Sequence, residues 1–145
     1  SGSGATHLGL AAGMRNLSPS TKVIGSCVRR NEEKQIERFG LLCELFNSFS
    51  GCPNFLTERD IFLWDKALEP GYGQIGPLAQ NAMKLMAQNE GHLLDPVYTA
   101  KSFAAIQGLI SDGLIGEGSR VLYVHTGGNA AIFAYQNEMQ EIMKK

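Results

Sequence analysis

Three short apolar runs, separated by long amphipathic segments, constrain this chain of 145 residues more than any other feature. Val23-Ile24-Gly25-Ser26-Cys27-Val28 is rich in β-branched residues, and Ile61-Phe62-Leu63-Trp64 and Arg120-Val121-Leu122-Tyr123-Val124 are the other two. Runs this short and apolar fit strands covered on both faces, as in a parallel sheet. The segments between them carry helical spacing. His7 to Met14 reads as a short apolar helix, followed by a turn at Ser18-Pro19-Ser20. Asn31 is placed as a helix cap with Glu32 and Glu33 in the first turn, ahead of an apolar face of Ile36, Phe39, Cys43, Phe46 and Phe49 that stops before Gly51 and Pro53. Pro77 opens a helix with Leu78, Ala82, Leu85 and Met86 on one face. Asp95-Pro96 predicts a cap and first turn, with Phe103, Ile106, Ile110 and Leu114 at core spacing beyond, and a final helix carries Ile132, Phe133 and Tyr135. Strands alternating with helices predict an α/β fold of three layers, a mainly parallel sheet flanked by helices.

Composition narrows the function. Hydrophobic residues make up 43% and charged residues 19% of the chain, which excludes a disordered polypeptide. Thirteen Lys plus Arg stand against 14 Asp plus Glu, and no long run of like charge occurs, so no nucleic acid and no anionic membrane surface is expected as a partner. No apolar stretch approaches the roughly 20 residues of a membrane span, and no signal peptide opens the chain. Cys27, Cys43 and Cys52 are odd in number and lack CxxC spacing, which predicts reduced thiols, a cytoplasmic protein and no thiolate metal site. His7, His92 and His125 have no ligand spacing, so no metal is expected.

Loops after the apolar runs hold the candidate chemistry, since ligands in parallel α/β folds gather at the carboxyl ends of strands. Ser1-Gly2-Ser3-Gly4-Ala5-Thr6 could cradle an anion, because glycines let backbone N–H groups approach it and the following helix adds positive potential. The loop lacks the lysine of a Walker motif and the spacing of a dinucleotide fingerprint, and Ser-Gly-Ser-Gly is also the composition of an engineered linker. Tyr72 lies between glycines in Glu69-Pro70-Gly71-Tyr72-Gly73, and Tyr98 follows Asp95-Pro96. Either could equally be a half-buried tyrosine with its hydroxyl satisfied. Thr126-Gly127-Gly128 could be a plain connection, and Cys27, in a core strand, is expected to be inert.

In order, Ser1-Gly2-Ser3-Gly4-Ala5-Thr6-His7-Leu8-Gly9-Leu10, Pro70-Gly71-Tyr72-Gly73, Leu94-Asp95-Pro96-Val97-Tyr98-Thr99-Ala100-Lys101 and His125-Thr126-Gly127-Gly128-Asn129-Ala130-Ala131-Ile132-Phe133-Ala134-Tyr135 are similar to the carboxyl-terminal half of the D-cysteine desulfhydrase and 1-aminocyclopropane-1-carboxylate deaminase family. The resemblance covers essentially the whole chain. It implies fold type II, pyridoxal 5'-phosphate as cofactor and a small amino-acid substrate. It places the cofactor phosphate on Ser1, Gly2, Ser3, Gly4, Ala5 and Thr6, the ring nitrogen at Thr126 and Gly127, and the substrate against Tyr72 and Tyr98 as catalytic residues. Deaminases of the family carry Glu directly after the second tyrosine and lack the threonine of Thr-Gly-Gly. This chain has Thr99 and Thr126, and a neutral hydroxyl at the ring nitrogen suits elimination, so a lyase releasing sulfide, pyruvate and ammonia from D-cysteine is expected. A deaminase and a non-catalytic phosphate-binding module are the alternatives. The family's cofactor-bonding lysine lies in a Gly-Asn-Lys-like motif of its amino-terminal half, and no such motif occurs here. Residues 1–145 are therefore expected to be the carboxyl-terminal part of the cofactor-binding large domain, with the lysine segment and small domain absent. The chain is expected to be inactive when isolated, to need the missing amino-terminal half or a chain supplying it, and to act in a homo-oligomer.

Overall fold

The computed structural model describes residues 1–144, which divide into two compact units, Ser1–Asp65 and Lys66 onward.

In the first unit, α1 (Ala5–Leu17) leads to β1 (Ile24–Ser26), α2 (Glu32–Ser50) and β2 (Phe62–Trp64). The strands pair in parallel with Ile24 opposite Phe62, Gly25 opposite Leu63 and Ser26 opposite Trp64, and the Cys27 amide extends the pairing to the Trp64 carbonyl at 2.7 Å. A parallel pair needs a long crossover, and α2 supplies it. Asn31 caps α2 as its sequence predicts, its side chain accepting from the Lys34 amide at 3.2 Å, and the helix stops at Gly51. Leu8, Ala11 and Ala12 of α1 pack with Phe39 and Cys43 of α2 and with Leu56 and Ile61 from the returning loop. Asn47 pins that loop by accepting from the Leu56 amide and donating to its carbonyl.

The second unit contains α3 (Pro77–Glu90), α4 (Thr99–Ser111) and α5 (Gln136–Met143), with short 3-10 turns at Lys66–Leu68 and Asn129–Tyr135. Helices α3 and α4 pack together, and their buried faces are rich in small residues, Ala79 and Ala82 beside Met83 on one and Ala100, Ala104 and Ala105 on the other.

The α/β class and the parallel pairing follow the sequence, whereas four local expectations do not. Residues 120–124 enter no ladder among the described residues, and Leu122 is 81% exposed; an apolar run makes a strand only where a partner edge meets it. Phe49 stands out in solvent at the end of α2, and Leu78 and Leu85 on α3 and Ile110 and Leu114 beyond it are exposed too. Ala82 is buried as expected, and with Ala79 and the alanines of α4 it forms the buried stripe, because small side chains permit the close approach of two helices. Helix α4 begins at Thr99 rather than at Pro96, since the Asp95 side chain organises a separate turn first. The last predicted helix is a 3-10 turn over Asn129–Tyr135 that precedes α5.

One buried polar contact gives the first unit a pH dependence. His7 is buried against the edge of Phe39, with ring centroids 5.0 Å apart, and a Cβ on Gly25 would overlap its imidazole. Its Nε2 lies 3.1 Å from the Val23 carbonyl, so the neutral ring donates there, and Nδ1 has no partner among the described residues. Burial holds this imidazole below its ordinary range. The folded chain therefore resists protonation at His7, whereas the unfolded chain takes up the proton near pH 6.5, roughly the ordinary histidine value. Stability tied to His7 is present above that pH and is lost as pH falls toward the lowered folded-state value. The urea midpoint should drop between about pH 7.5 and about pH 5, and His7→Gln, which retains a donor but does not titrate, should flatten part of that slope. Identical slopes in the two proteins would count against this role.

Candidate functional site

The opening loop is shaped from α2. Arg30 Nη1 donates to the Gly2 carbonyl at 3.0 Å, Gln35 Nε2 to Ser1 Oγ at 3.2 Å and to the Gly2 carbonyl at 3.4 Å, and Arg38 Nε to the Ser3 carbonyl at 2.6 Å. The carbonyls of Gly2 and Ser3 are thus taken up by side chains of α2 and of Arg30 just before it. Gly4 is the N-cap of α1 at φ 97°, a left-handed conformation that suits glycine, and a Cβ there would come within 2.6 Å of Leu42 Cδ1. Ala5 and Thr6 open the helix, whose first turn has no acidic residue and no side-chain cap. First-turn amides of a helix lack intrahelical acceptors, so this arrangement fits a phosphate held by backbone N–H groups. Sequence reading found the loop but missed Gln35, which is fully buried, together with Arg30 and Arg38. Their only signal was polar residues on, and just before, the helix that follows the first apolar run.

Within the second unit the hydroxyls of Tyr72 and Tyr98 lie 2.6 Å apart, and their rings meet edge to face at 6.2 Å. Both remain partly exposed, at 48% and 41%. Tyr98 is set by Asp95. The fully buried Asp95 carboxylate accepts from the amides of Val97, Tyr98 and Thr99 at 2.8 to 2.9 Å and from the Thr99 hydroxyl at 2.6 Å. Thr99 is thus spent on the turn. Tyr72 sits in a loop bound on both sides: Tyr135 donates to the Gly73 carbonyl at 2.7 Å, and the buried Lys101 ammonium donates to the carbonyls of Leu68 and Gly71 at 2.8 and 2.6 Å. Desolvation lowers the Lys101 pKa, partly opposed by Glu69.

The loop bearing Thr126 and Gly127 reaches the same turn. Tyr123 donates to the Thr99 carbonyl at 3.0 Å and meets Phe103 edge on, and burial, with the Asp95 charge, pushes its phenol up to about 12. Gly128, at φ 98°, is so close to Asp95 that a Cβ would lie 2.7 Å from Oδ1. The Thr126 side chain itself is exposed, and the Gly127 amide donates to His125 Nδ1 at 3.3 Å. Cys27 is buried, and desolvation pushes its thiol up to about 11, as suits an inert core thiol. No group of three or more His, Cys, Asp or Glu side chains that could hold a metal occurs among the described residues, nor is any helix there long and apolar enough to cross a membrane.

Comparison with known proteins identifies the family. The model of the family described as pyridoxal-phosphate dependent enzyme matches residues 1–127, and the chain belongs to that family. It is 40% identical over 135 residues to the D-cysteine desulfhydrase of Salmonella paratyphi C, covering 93% of this chain and 40% of that protein, and 39% identical over the same length to that of Salmonella newport. A crystal structure described as an ACC deaminase homologue superposes with a TM-score of 0.83 at 28% identity, covering 98% of this chain and 42% of the other. The fold is therefore that of fold type II, and the chain spans about 40% of the length of the curated relatives it matches.

Removal of the Asp95 carboxylate should loosen the whole turn. Asp95→Ala strands three amides in a buried site and should destabilise the protein by about 3 kcal/mol, read from chemical denaturation. Gly128→Ala, which leaves those bonds in place, should also destabilise, because the new methyl meets Asp95. A loss under roughly 0.5 kcal/mol in Asp95→Ala would show that the turn does not depend on the carboxylate.

Proposed function

We propose that the polypeptide carrying this chain is a pyridoxal-phosphate-dependent lyase that acts on D-cysteine, or a related small amino acid, and releases sulfide, pyruvate and ammonia. Overall, the C–S and C–N bonds of D-cysteine break and one water is consumed. The observation that carries the reading is the Tyr72–Tyr98 hydroxyl contact, supported by the resemblance to D-cysteine desulfhydrases across nearly the whole chain. Residues 1–145 contribute the carboxyl-terminal part of the large cofactor-binding domain. An amino-terminal half, or a chain supplying it, brings the lysine that bonds the cofactor and the small domain.

Pyridoxal phosphate, when bound, supplies an electron sink for the carbon that loses its proton. The amides from Ser1 to Thr6 hold its phosphate, with Arg30, Gln35 and Arg38 keeping the carbonyls of Gly2 and Ser3 turned away. Thr126 would offer a neutral hydroxyl to the ring nitrogen, and Gly127 would help to hold the cofactor. Tyr72 and Tyr98 orient the substrate, and through their shared hydrogen bond one phenol can give up or take a proton while the other steadies the oxygen left behind. A cytoplasmic setting is inferred from free Cys27, Cys43 and Cys52. Self-association is inferred from Leu41, Leu45 and Phe49, which stand exposed at four-residue intervals along α2.

Sulfide release from D-cysteine by the complete holoenzyme, with matching pyruvate, tests the reading. Turnover of 1-aminocyclopropane-1-carboxylate with no sulfide from D-cysteine would replace it with the deaminase reading. The 145-residue chain alone should release no sulfide. In the active enzyme, Tyr72→Phe and Tyr98→Phe should each cut turnover roughly 10- to 100-fold. The double variant should lose less than the product of the two effects, because the hydroxyls act as a unit. Near-normal turnover in both single variants would reduce the pair to a structural contact.

A further inference from the structure

We propose that Lys101 is a positioning residue, a buried cation that holds the Tyr72 loop against the first turn of α4 and thereby fixes the Tyr72–Tyr98 hydroxyl pair. The inference rests on the lyase reading for its consequence in turnover, but its geometric content does not.

Lys101 lies in the first turn of α4, three residues after Tyr98, the N-cap of that helix, and its side chain is among the fully buried ones. From there the ammonium donates to two carbonyls of one loop, Leu68 at 2.8 Å and Gly71 at 2.6 Å, and Tyr72 is the next residue. The same lysine thus ties together the helix that bears one phenol and the loop that bears the other. A second tether, from Tyr135 to the Gly73 carbonyl, lies on the far side of Tyr72, and on the near side Lys101 shares the Gly71 carbonyl with the Gln74 amide, which donates to it at 3.3 Å.

The choice of a lysine needs a reason. A buried ammonium is costly to desolvate, and apolar residues of similar volume often serve stability as well or better. Lysine has a directional advantage that methionine lacks: it can bind two carbonyls at once and set the path of a loop with no regular secondary structure. A hydroxyl contact of 2.6 Å tolerates only a few tenths of an ångström of drift before it is lost, roughly the width of the hydrogen-bond distance range. Packing alone fixes a loop less sharply than two charge-assisted hydrogen bonds.

The test uses fluorotyrosine-labelled holoenzyme and two variants, Lys101→Met, which keeps the bulk, and Lys101→Gln, which keeps a donor on a shorter stem. In protein with Lys101 intact, Tyr98→Phe should move the fluorine resonance of Tyr72, because its hydroxyl partner is gone. In Lys101→Met the same substitution should produce no resolvable shift, as the pair is already apart. Turnover should fall about 100-fold in Lys101→Met with KM little changed, the loss expected of a misplaced catalytic group. Lys101→Met combined with Tyr72→Phe should lose far less than the product of the two separate losses, staying near the larger of them, because both act on the same pair. Three results each overturn the proposal: a Tyr72 shift that persists in Lys101→Met, turnover losses that multiply, or failure of both variants to fold, which would make Lys101 a structural residue. A protein inactive on D-cysteine whose Tyr72 shift still vanishes in Lys101→Met overturns the lyase reading and supports the positioning role.

Discussion

The buried carboxylate of Asp95 is the point on which the second unit depends. It gathers three successive amides and one hydroxyl, and so converts the stretch before α4 into a fixed corner. That corner sets the direction in which Tyr98 leaves the backbone, and Gly128 from the later loop is pressed against its other side. A charge without solvent survives there only because its lone pairs are taken up, and the turn survives only because its amides have that acceptor. Each requirement satisfies the other.

How much of this was legible in the sequence depends on what each signal measures. The parallel pairing of Val23–Val28 with Ile61–Trp64 was readable because both runs are short, apolar and joined by a helix-length segment with a good cap. Arg120–Val124 carries the same composition but joins no ladder, since composition records a preference for burial and says nothing of whether an edge is at hand. Likewise, the apolar pattern put Leu78, Ala82, Leu85 and Met86 on the α3 face, of which Ala82 is buried while Leu78 and Leu85 are exposed, and the packed face belongs to Ala79, Ala82 and Met83. Close helix contact rewards small side chains, which a hydrophobicity count undervalues.

For the site, the tyrosines and the glycine loop were legible because loops rich in glycine and proline announce themselves. The residues that hold those loops in place were not. Gln35 and Lys101 are polar side chains on helices, and a helical pattern assigns such residues to solvent. Only the fold reveals that each reaches back to backbone carbonyls of a loop about 30 residues away in sequence. Thr99 moved the opposite way: next to Tyr98 it draws attention as a chemical group, yet its hydroxyl is bonded to Asp95 within the turn.

The grip of α2 on the opening loop also determines where heritable change can act on anion recognition. The amides that would face an anion belong to the backbone, which every residue but proline supplies, so replacing Ser3 or Thr6 leaves those donors in place, whereas the Ser1 hydroxyl is itself tied to Gln35. The orientation of those amides is written elsewhere, in Arg30, Gln35 and Arg38. A change at Arg30, Gln35 or Arg38 would therefore alter how the loop is held while leaving every letter of the loop itself in place.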